Sequence, residues 1–462
     1  MTSPYGVLNY YTKESEDCLL YKVGLYTLGC KVSQYETVAV GEEFERRGFL
    51  LCDFDTVCDV YVINTCTVTA ESDRKSRQII RRAIKKNPDA VVLVMGCYTQ
   101  RSPDEVAKIP GVSAIVGTEN KLSLVSIAED ILAKREGGER YETFVSTTDV
   151  TKAKFERMTV TRAPRTRAYV KIEDGCESKC TYCAISDARG RVRSKPREDV
   201  IAEVEALYKN GTREIVLTGI ETASYGRDFE NGYGLAELLC ELDDRHSCER
   251  IRLGSLAPEL INRSFIMKVK NLKILAPHFH LSLQSGSDSV LRSMKRRYNS
   301  VQAMRVISAI RENIPRATFT TDLMVGFPGE TEENFFETVD FVRRAEFLDA
   351  HVFAYSRREG TPASYYDGQI AECEKRRRSE ILIGVKNEVR YRLLSNIISE
   401  GKPLSVIVET RGEDGFYTAH SAEYIEVKLF SENINLTGEM LKVVPVSQKD
   451  GIVYSELANE YK

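Results

Sequence analysis

Along the first third of the chain, short apolar runs alternate with segments of helical spacing. "KVGLYTLGC" (22–30), "VCDVYVINTC" (57–66) and "AVVLVMGC" (90–97) predict three strands. "QYETVAVGEEFERRG" (34–48) and "AESDRKSRQIIRRAIKKN" (70–87) predict the helices between them, the second with Ser and Asp near its start and lysines at its end. The β-α-β-α-β order predicts an α/β fold with a parallel, doubly wound sheet. From 168 to about 356 six further strand candidates recur with helices between them: "AYVKIED", "REIVLTG", "IRLGS", "FHLSLQS", "ATFTTDLMVG" and "AHVFAYS". Repeated βα units of this kind predict a full or partial parallel barrel, with its chemistry at the strand carboxyl ends. A charged helix (374–401) then leads to five short strand candidates, "LSVIVET", "GFYTA", "EYIEVKL", "MLKVVPV" and "IVYSEL", which predict a small β-barrel or sandwich. The expected boundaries are an extension at 1–21, an α/β domain at 22–138, a charged linker at 139–161, a barrel domain at 162–398 and a terminal β-domain at 399–462.

Length and composition sharpen this picture only slightly. A chain of 462 residues calls for two or three domains. Hydrophobic content of 42% and charged content of 29% fit a soluble globular protein. The N-terminus shows no basic region followed by an apolar stretch, and runs such as 90–95 are too short to span a bilayer, so a cytoplasmic location and no membrane partner are expected. In that compartment the 12 cysteines read as metal ligands, catalytic thiols or small hydrophobes rather than disulfides. A net charge of −3 gives no overall pull toward nucleic acid, so any such partner is held by local patches.

Two cysteine sets carry the chemistry. Each of the three N-terminal strands runs out into a cysteine: Cys30, Cys66 and Cys97. In a parallel sheet all carboxyl ends lie on one edge, where open α/β folds put their ligands, so the three are expected to meet. The competing reading is a small buried hydrophobe at each position. The second set is Cys176, Cys180 and Cys183 in "DGCESKCTYC", a C-x3-C-x2-C spacing just past the first barrel strand. Three thiolates are one short of a structural zinc site, and the next cysteine is Cys240. A four-iron cubane held by three thiolates keeps one iron for a small molecule.

That triplet, with Tyr182 in its last gap, resembles the radical S-adenosylmethionine superfamily. The resemblance implies a [4Fe-4S] cluster on Cys176, Cys180 and Cys183, whose open iron chelates S-adenosylmethionine and whose electron generates a 5′-deoxyadenosyl radical. "LTGIE" (Thr218, Gly219, Glu221), "LQSGSD" (Gln284, Ser285) and "VGFPGE" (Gly326, Gly329, Glu330) look like its cofactor-cradling strand ends and glycine-rich turn. The whole chain, over roughly 22–460, resembles the methylthiotransferases, whose parts are an N-terminal α/β domain, a radical domain and a C-terminal TRAM β-barrel that binds RNA. "TLGCKVSQYET", "VINTCTVTAESDRKSR" and "VMGCY" resemble most the subgroup acting on N6-threonylcarbamoyladenosine beside the tRNA anticodon. By that resemblance Cys30, Cys66 and Cys97 hold a second [4Fe-4S] cluster, which delivers sulfur. The reaction implied turns the C2–H of the adenine into C2–SCH3, using one S-adenosylmethionine as methyl donor to a cluster-bound sulfur and a second as radical source. The implied partners are the tRNA anticodon stem-loop, a flavodoxin- or ferredoxin-type electron donor and a sulfur donor. Sister activities on isopentenyladenosine or a ribosomal-protein aspartate are the first alternatives, and a non-catalytic iron–sulfur RNA-binding protein is another.

The chain departs from the family pattern at three places. Ser33 stands where Asn is usual, Ala184-Ile185-Ser186 replaces Ile-Ile-Pro, and Ala419 stands where the TRAM pattern favours Gly. In "ARGRVRSKPR" the alternating Arg189, Arg191, Arg193, Lys195 and Arg197 read either as a phosphate-gripping edge or as a solvated charged edge. Lys and Arg in 292–297 and Arg74, Lys75 and Arg77 pose the same choice. Phe416, Tyr417 and Tyr424 read either as base-stacking aromatics or as barrel core. His278 and His280 read either as packing or as a cofactor contact. Cys18, Cys52, Cys58, Cys240, Cys248 and Cys373 are expected to be structural or incidental.

Overall fold

A computed structural model describes residues 20–163, 165–432 and 435–458. Cys18 and most of the expected extension lie outside the described residues. The described chain falls into two units: one holds residues up to 160 with 174–177 and 183–193, the other holds 161–173, 178–182 and everything from 194 onward.

The first unit is a parallel six-stranded sheet. Its strands are β1 (Lys22–Thr27), β2 (Leu50–Cys52), β3 (Val60–Thr65), β4 (Val91–Gly96), β5 (Val112–Val116) and β6 (Phe144–Ser146), in the order β2-β1-β3-β4-β5-β6. Its helices are α1 (Lys31–Arg46), α2 (Ala70–Lys86), α3 (Cys97–Arg101), α4 (Pro103–Ala107) and α5 (Ser123–Glu136). Every residue of β3 and β4 is buried, which explains their continuous apolar runs: a central parallel strand is covered on both faces. Phe54, Tyr61, Ile63, Ile80, Val92 and Val94 form the core of one face. The three expected strands are β1, β3 and β4. The short edge strands β2 and β6 and the strand β5 join them; β6 lies inside the segment expected to be a linker, where it pairs Phe144 with Ala114. Met158 and Val160 in that segment are also buried, and the Tyr35 hydroxyl donates to Met158 O at 2.6 Å.

The second unit holds the barrel. After β7 (Arg167–Lys171) the chain passes through the short strand β8 (Glu173–Asp174), helix α6 (Ile185–Arg189), which belongs to the first unit, and the short strand β9 (Arg193–Ser194) before α7 (Arg197–Lys209) and β10 (Glu214–Thr218). Then follow α8 (Leu235–Asp244), β11 (Arg250–Leu253), β12 (Ser255–Leu256), α9 (Arg263–Val269), β13 (His278–Gln284), α10 (Asp288–Ser293), α11 (Ser300–Asn313), β14 (Thr318–Val325), α12 (Glu332–Ala345) and β15 (Asp349–Ala354). The strands form two parallel arcs, β11-β10-β7 and β12-β13-β14-β15. Gly254 divides β11 from β12; a Cβ there meets Thr222 Oγ1 at 2.7 Å and Leu217 O at 3.1 Å, so only glycine lets this strand turn so close to β10. All six expected barrel strands are present, the third in two halves.

Helix α13 (Glu372–Glu400) leads to β16 (Leu404–Arg411), β17 (Phe416–Ser421), β18 (Glu426–Phe430), β19 (Met440–Lys449) and β20 (Ile452–Leu457). These five close into a barrel in the order β16-β17-β18-β20-β19, the TRAM-type domain expected from the sequence. Val406, Val408, Tyr417, Val427, Leu429 and Val443 fill it. Tyr417 is therefore core, not a base-stacking platform.

One buried carboxylate ties this β-barrel to the amino ends of the parallel strands. Glu214 is fully buried and accepts from Arg250 Nη1 at 3.0 Å and Arg252 Nε at 2.9 Å, with Arg167 Nη1 at 3.7 Å. The arginines reach onward: Arg252 donates to Ser421 O and Ala422 O, Arg250 to the Ser405 hydroxyl, Arg167 to Glu409. Tyr424, held at φ 70°, stacks on His278 with centroids 4.5 Å apart and lies under the Arg252 guanidinium. It is engaged in this junction rather than offered to RNA, and His278, whose Nε2 lies 2.9 Å from Thr320 Oγ1, is a packing residue.

Burial works to raise the Glu214 carboxyl, but Arg252, Arg250 and Arg167 outweigh it and hold it at about 2, below its ordinary 4.5. A depressed carboxyl contributes stability that is complete above the ordinary value and is lost as pH falls through the folded one. Glu214→Gln leaves buried guanidinium charge unmatched, so an expected loss of about 3–5 kcal/mol is read by urea unfolding at neutral pH. The variant is also expected to lose the part of the wild-type acid transition between pH about 4.5 and about 2.

Candidate functional site

The register of the first sheet brings its three strand-end cysteines to one edge. Thr27 pairs with Asn64 and Thr65 with Gly96, so β1, β3 and β4 end nearly level; Cys66 and Cys97 follow immediately, and Cys30 three residues past the end of β1. Cys30 stands at the N-cap of α1 and Cys97 opens α3. Two glycines the sequence reading passed over make the turns. Gly29 (φ +113°) and Gly96 (φ +111°) each precede a cysteine, in a conformation that L-residues rarely adopt. A Cβ on Gly29 meets Cys66 Cβ at 3.1 Å, and a Cβ on Gly96 meets Asn64 Oδ1 and Thr65 O at 2.5 Å. The repeated Gly-Cys pair at strand ends was the available signal.

The three thiols differ in setting. Cys30 is exposed, whereas Cys66 and Cys97 are buried. Burial raises the Cys66 thiol, and charge on Cys30 adds to the rise. Burial pushes the Cys97 thiol up to about 12, opposed by Arg189 and reinforced by charge on Cys66 and Cys30. Among the described residues no three His, Cys, Asp or Glu side chains are placed to hold a single metal ion. A four-iron cluster takes one thiolate per iron and makes no such demand. Three thiols at one sheet edge are the soft donor type such a cluster uses, so the residues fit the group. Ser33, at the departure from the family pattern, places its hydroxyl 3.8 Å from Cys30 Sγ, and its carbonyl accepts from Asn64 Nδ2 at 3.0 Å.

The "ARGRVRSKPR" segment is not a phosphate-gripping edge. Arg189, Arg193 and Lys195 are buried and bonded internally: Arg189 to Cys97, Glu36 and Asp174; Arg193 to the carbonyls of Arg189 and Arg191; Lys195 to Glu203. Helix α6 breaks the extended alternation, so the basic residues turn inward to buried carboxylates. Ala184, where the family pattern has Ile, is buried at the start of that helix, and Ser186 lies in its first turn. In α2, Arg74 pairs with Glu71, and Arg77 donates to the Tyr98 hydroxyl.

Within the second triplet, Cys180 and Tyr182 belong to the second unit, while Cys176 and Cys183 fall in the segments assigned to the first. Cys180 is buried, with Arg296 Nη1 3.4 Å from its sulfur. Tyr182 packs against Val290, Met294, Met324 and Phe327. Its neighbour Thr181 is pinned on both sides, donating to Met294 O and accepting from Ala363 N–H.

The predicted cradle residues lie at the carboxyl ends of the barrel strands, in three groups. At the end of β10, Thr218 is buried and Gly219 is half-buried; a Cβ on Gly219 meets Glu173 Oε2 at 2.4 Å. Glu221 beyond it accepts from Ala257 N–H at 2.8 Å, and burial, opposed by that bond and by Arg296, raises its carboxyl to about 7. At the end of β13, Gln284 sits at φ 72°, a strained backbone for a non-glycine residue, and the Ser285 hydroxyl pairs with Thr338 Oγ1 at 3.1 Å. After β14, Gly326 and Gly329 both have positive φ, and the Glu330 carboxylate spans the turn from Gly326 N–H to Arg378 Nη1. Burial raises Glu330 against those bonds. Ser285 and Glu330 thus spend their polar groups on holding their own loops. Arg296 Nε, Glu259 Oε2 and Thr222 Oγ1 are buried without hydrogen-bond partners among the described residues. Unmatched donors and acceptors of both signs fit a zwitterionic ligand such as S-adenosylmethionine. On the β13–β15 surface, His280 Nε2 lies 3.1 Å from Asp322 Oδ2, and His351 Nδ1 lies 3.5 Å from Asp322 Oδ1. Burial would raise Asp322, but these two imidazoles outweigh it and hold the carboxyl below its ordinary range.

Comparison with known proteins agrees with this architecture. Residues 170–342 match the radical SAM superfamily, and 22–117 match an uncharacterized protein family, UPF0004. The threonylcarbamoyladenosine tRNA methylthiotransferase MtaB of Bacillus subtilis is 38% identical over 94% of this chain and 95% of its own. Its Thermotoga maritima counterpart is 35% identical over 93% of this chain and 96% of its own. A tRNA-2-methylthio-N(6)-dimethylallyladenosine synthase of Carboxydothermus hydrogenoformans is 32% identical over 91% and 95%. The radical S-adenosylmethionine methyltransferase TsrM of Kitasatospora setae, solved with cobalamin and a [4Fe-4S] cluster bound, shares the fold with a TM-score of 0.52 at 17% identity, over 75% of this chain and 77% of that one. The chain belongs to the radical S-adenosylmethionine methylthiotransferase family, in the subgroup of the threonylcarbamoyladenosine tRNA methylthiotransferases.

Gly29→Ala and Gly96→Ala are each expected to cost at least about 1 kcal/mol, because both positions combine positive φ with a close approach. They are also expected to lower iron and sulfide per chain after anaerobic reconstitution. Gly48→Ala, at φ +87° with open space around it, is the control: it loses stability but keeps its iron.

Proposed function

We propose that this chain methylthiolates tRNA, converting the C2–H of N6-threonylcarbamoyladenosine next to the anticodon into C2–SCH3. The observation that carries the reading is the delivery of Cys30, Cys66 and Cys97 to one sheet edge by three nearly level parallel strands, in a chain that also carries the Cys176, Cys180 and Cys183 triplet. A binding module needs no second thiol set, whereas a reaction that both abstracts hydrogen and installs sulfur does. The choice of threonylcarbamoyladenosine over dimethylallyladenosine is supported by identities of 35–38% to the former group against 32% to the relative of the latter kind described above.

In this reading Cys176, Cys180 and Cys183 hold one [4Fe-4S] cluster and Cys30, Cys66 and Cys97 the other. When bound, the clusters and S-adenosylmethionine supply the radical, the sulfur and the methyl group. The protein's own residues do the positioning. Arg296 donates to the Cys180 sulfur and fixes its side chain. Tyr182, Thr218, Gly219, Glu221, Gln284, Ser285, Gly326, Gly329 and Glu330 line or shape the strand ends that receive S-adenosylmethionine. Arg296 offers a cation to its carboxylate, while Glu221 and Glu259 offer carboxylates to its ammonium group. The glycine turn braced by Glu330 and Arg378 leaves room for a flat base.

The tRNA anticodon stem-loop meets the β-barrel through the outward cluster of Phe416, Phe430, Tyr454 and Lys428, whose ammonium lies 5.9 Å from the Phe416 ring centre. A flavodoxin- or ferredoxin-type donor and a sulfur donor complete the cycle in the cytoplasm. No helix among the described residues is long and apolar enough to cross a membrane.

Nucleoside mass spectrometry of tRNA from cells lacking this gene tests the reading. 2-Methylthio-N6-threonylcarbamoyladenosine is expected to disappear, and to return with the wild-type chain but not with Cys180→Ala. Loss of 2-methylthio-isopentenyladenosine instead moves the substrate to the sister group. An unchanged nucleoside profile rejects a tRNA substrate altogether.

A further inference from the structure

Arg189 lies at the end of the five-residue helix α6. It is completely buried. Its Nε donates to Cys97 Sγ at 3.2 Å. Nη1 and Nη2 bind the two oxygens of Glu36 at 2.7 and 3.1 Å, and Nη1 also reaches both oxygens of Asp174 at 3.1 Å. Glu36 lies in α1, the helix that Cys30 caps. Helix α6 begins two residues after Cys183, whose sulfur accepts from Ile185 N–H at 3.4 Å. One short helix therefore has a sulfur contact at each end.

Charge around this arginine is already matched without the sulfur. Lys121, also fully buried, lies 3.4 Å from Glu36 and 2.9 Å from Glu156, and Arg193 lies 3.4 Å from Asp174. Three cations thus face three carboxylates. A purely structural arginine would be satisfied by Glu36 and Asp174 alone, yet the planar fork turns its remaining Nε–H onto the thiol. A guanidinium does not deprotonate in proteins, so the buried fork, with its Nε 3.2 Å from Cys97 Sγ, keeps a cation beside that sulfur. Hydrogen bonds to ligand sulfur and a nearby buried charge are the levers by which a protein sets the potential of an iron–sulfur centre.

We propose that Arg189 is a positioning residue for the Cys30, Cys66 and Cys97 centre: its N–H···S bond fixes Cys97 and biases the group bound there toward its reduced state. The proposal rests on the reading that these cysteines hold an iron–sulfur cluster. It gives a buried arginine of the "ARGRVRSKPR" run a part in the chemistry without contact to RNA.

The test uses the full chain with Cys176, Cys180 and Cys183 replaced by Ala, so that any cluster signal comes from the other site. Arg189→Lys keeps the charge but not the fork, and Arg189→Gln removes the charge. Both are expected to retain the wild-type apo circular dichroism spectrum, and redox titration followed by electron paramagnetic resonance is expected to shift to more negative potential, further for Gln than for Lys. A measurement on the unmutated residue guards against misfolding: with 15N-labelled arginine, the reduced centre is expected to show a hyperfine coupling to one arginine nitrogen. Variants that load iron and titrate at the wild-type potential, or the absence of arginine coupling, overturn the proposal. A triple-Ala chain that binds no cluster at all overturns the underlying reading instead.

Discussion

The parallel register of β1, β3 and β4 is the constraint on which the first unit depends. Because Thr27, Asn64, Thr65 and Gly96 end nearly level, residues 30, 66 and 97 arrive at one edge although nearly seventy positions separate the first from the last. A one-residue slip would turn a buried strand's side chains to the opposite face and disperse the thiols. Buried hydrogen bonds at the end of β3 oppose such a slip: Asn64 Nδ2 donates to Ser33 O and Thr37 Oγ1, and Thr65 Oγ1 to Met95 O. The two positive-φ glycines convert that register into sulfur placement, and Arg189 supplies the charge that burial of Cys97 calls for.

The second unit solves a different problem. A partial parallel barrel exposes the amino ends of its strands, and here the terminal β-barrel covers them. The junction is mainly polar: Glu214 gathers Arg167, Arg250 and Arg252, of which Arg252 binds backbone carbonyls of the loop that carries Tyr424, Arg250 binds Ser405 and Arg167 binds Glu409. Buried ion pairs are poor sources of net stability but strict about geometry, which suits a junction that must set the direction of an attached domain. The carboxyl ends of the same strands keep unmatched polar atoms on Arg296, Glu259 and Thr222. The amino ends are thus spent on holding the terminal domain, and the carboxyl ends are left for the chemistry, the polarity expected of this kind of fold.

Much of this was legible in the sequence. Hydrophobic runs located the central strands, all six barrel strands and the five terminal strands, because each is long enough for its pattern to exceed the background of turns. The edge strand β6 was not legible: three residues flanked by charge carry no periodicity. The fate of "ARGRVRSKPR" was misread for a related reason. Alternating basic residues suggest an exposed edge, and nothing local reveals that Glu36, Asp174 and Glu203 wait inside for Arg189, Arg193 and Lys195. Tyr417 shows the same limit, since an aromatic in a short strand is core or surface according to its register. The cysteines were legible because their spacing and strand-end positions are local, whereas the arginine that serves one of them is ninety-two residues away.

The account's central claim is that one chain carries two separate cluster sites built from two thiol sets. Mössbauer spectroscopy of anaerobically reconstituted 57Fe protein tests it most directly. Wild-type chain is expected to show two [4Fe-4S] equivalents, with one lost on replacing Cys30, Cys66 and Cys97 and the other lost on replacing Cys176, Cys180 and Cys183. Addition of S-adenosylmethionine is expected to perturb only the cluster that survives the first replacement. A single cluster equivalent in the wild type, or its loss by either triple replacement alone, would contradict the account.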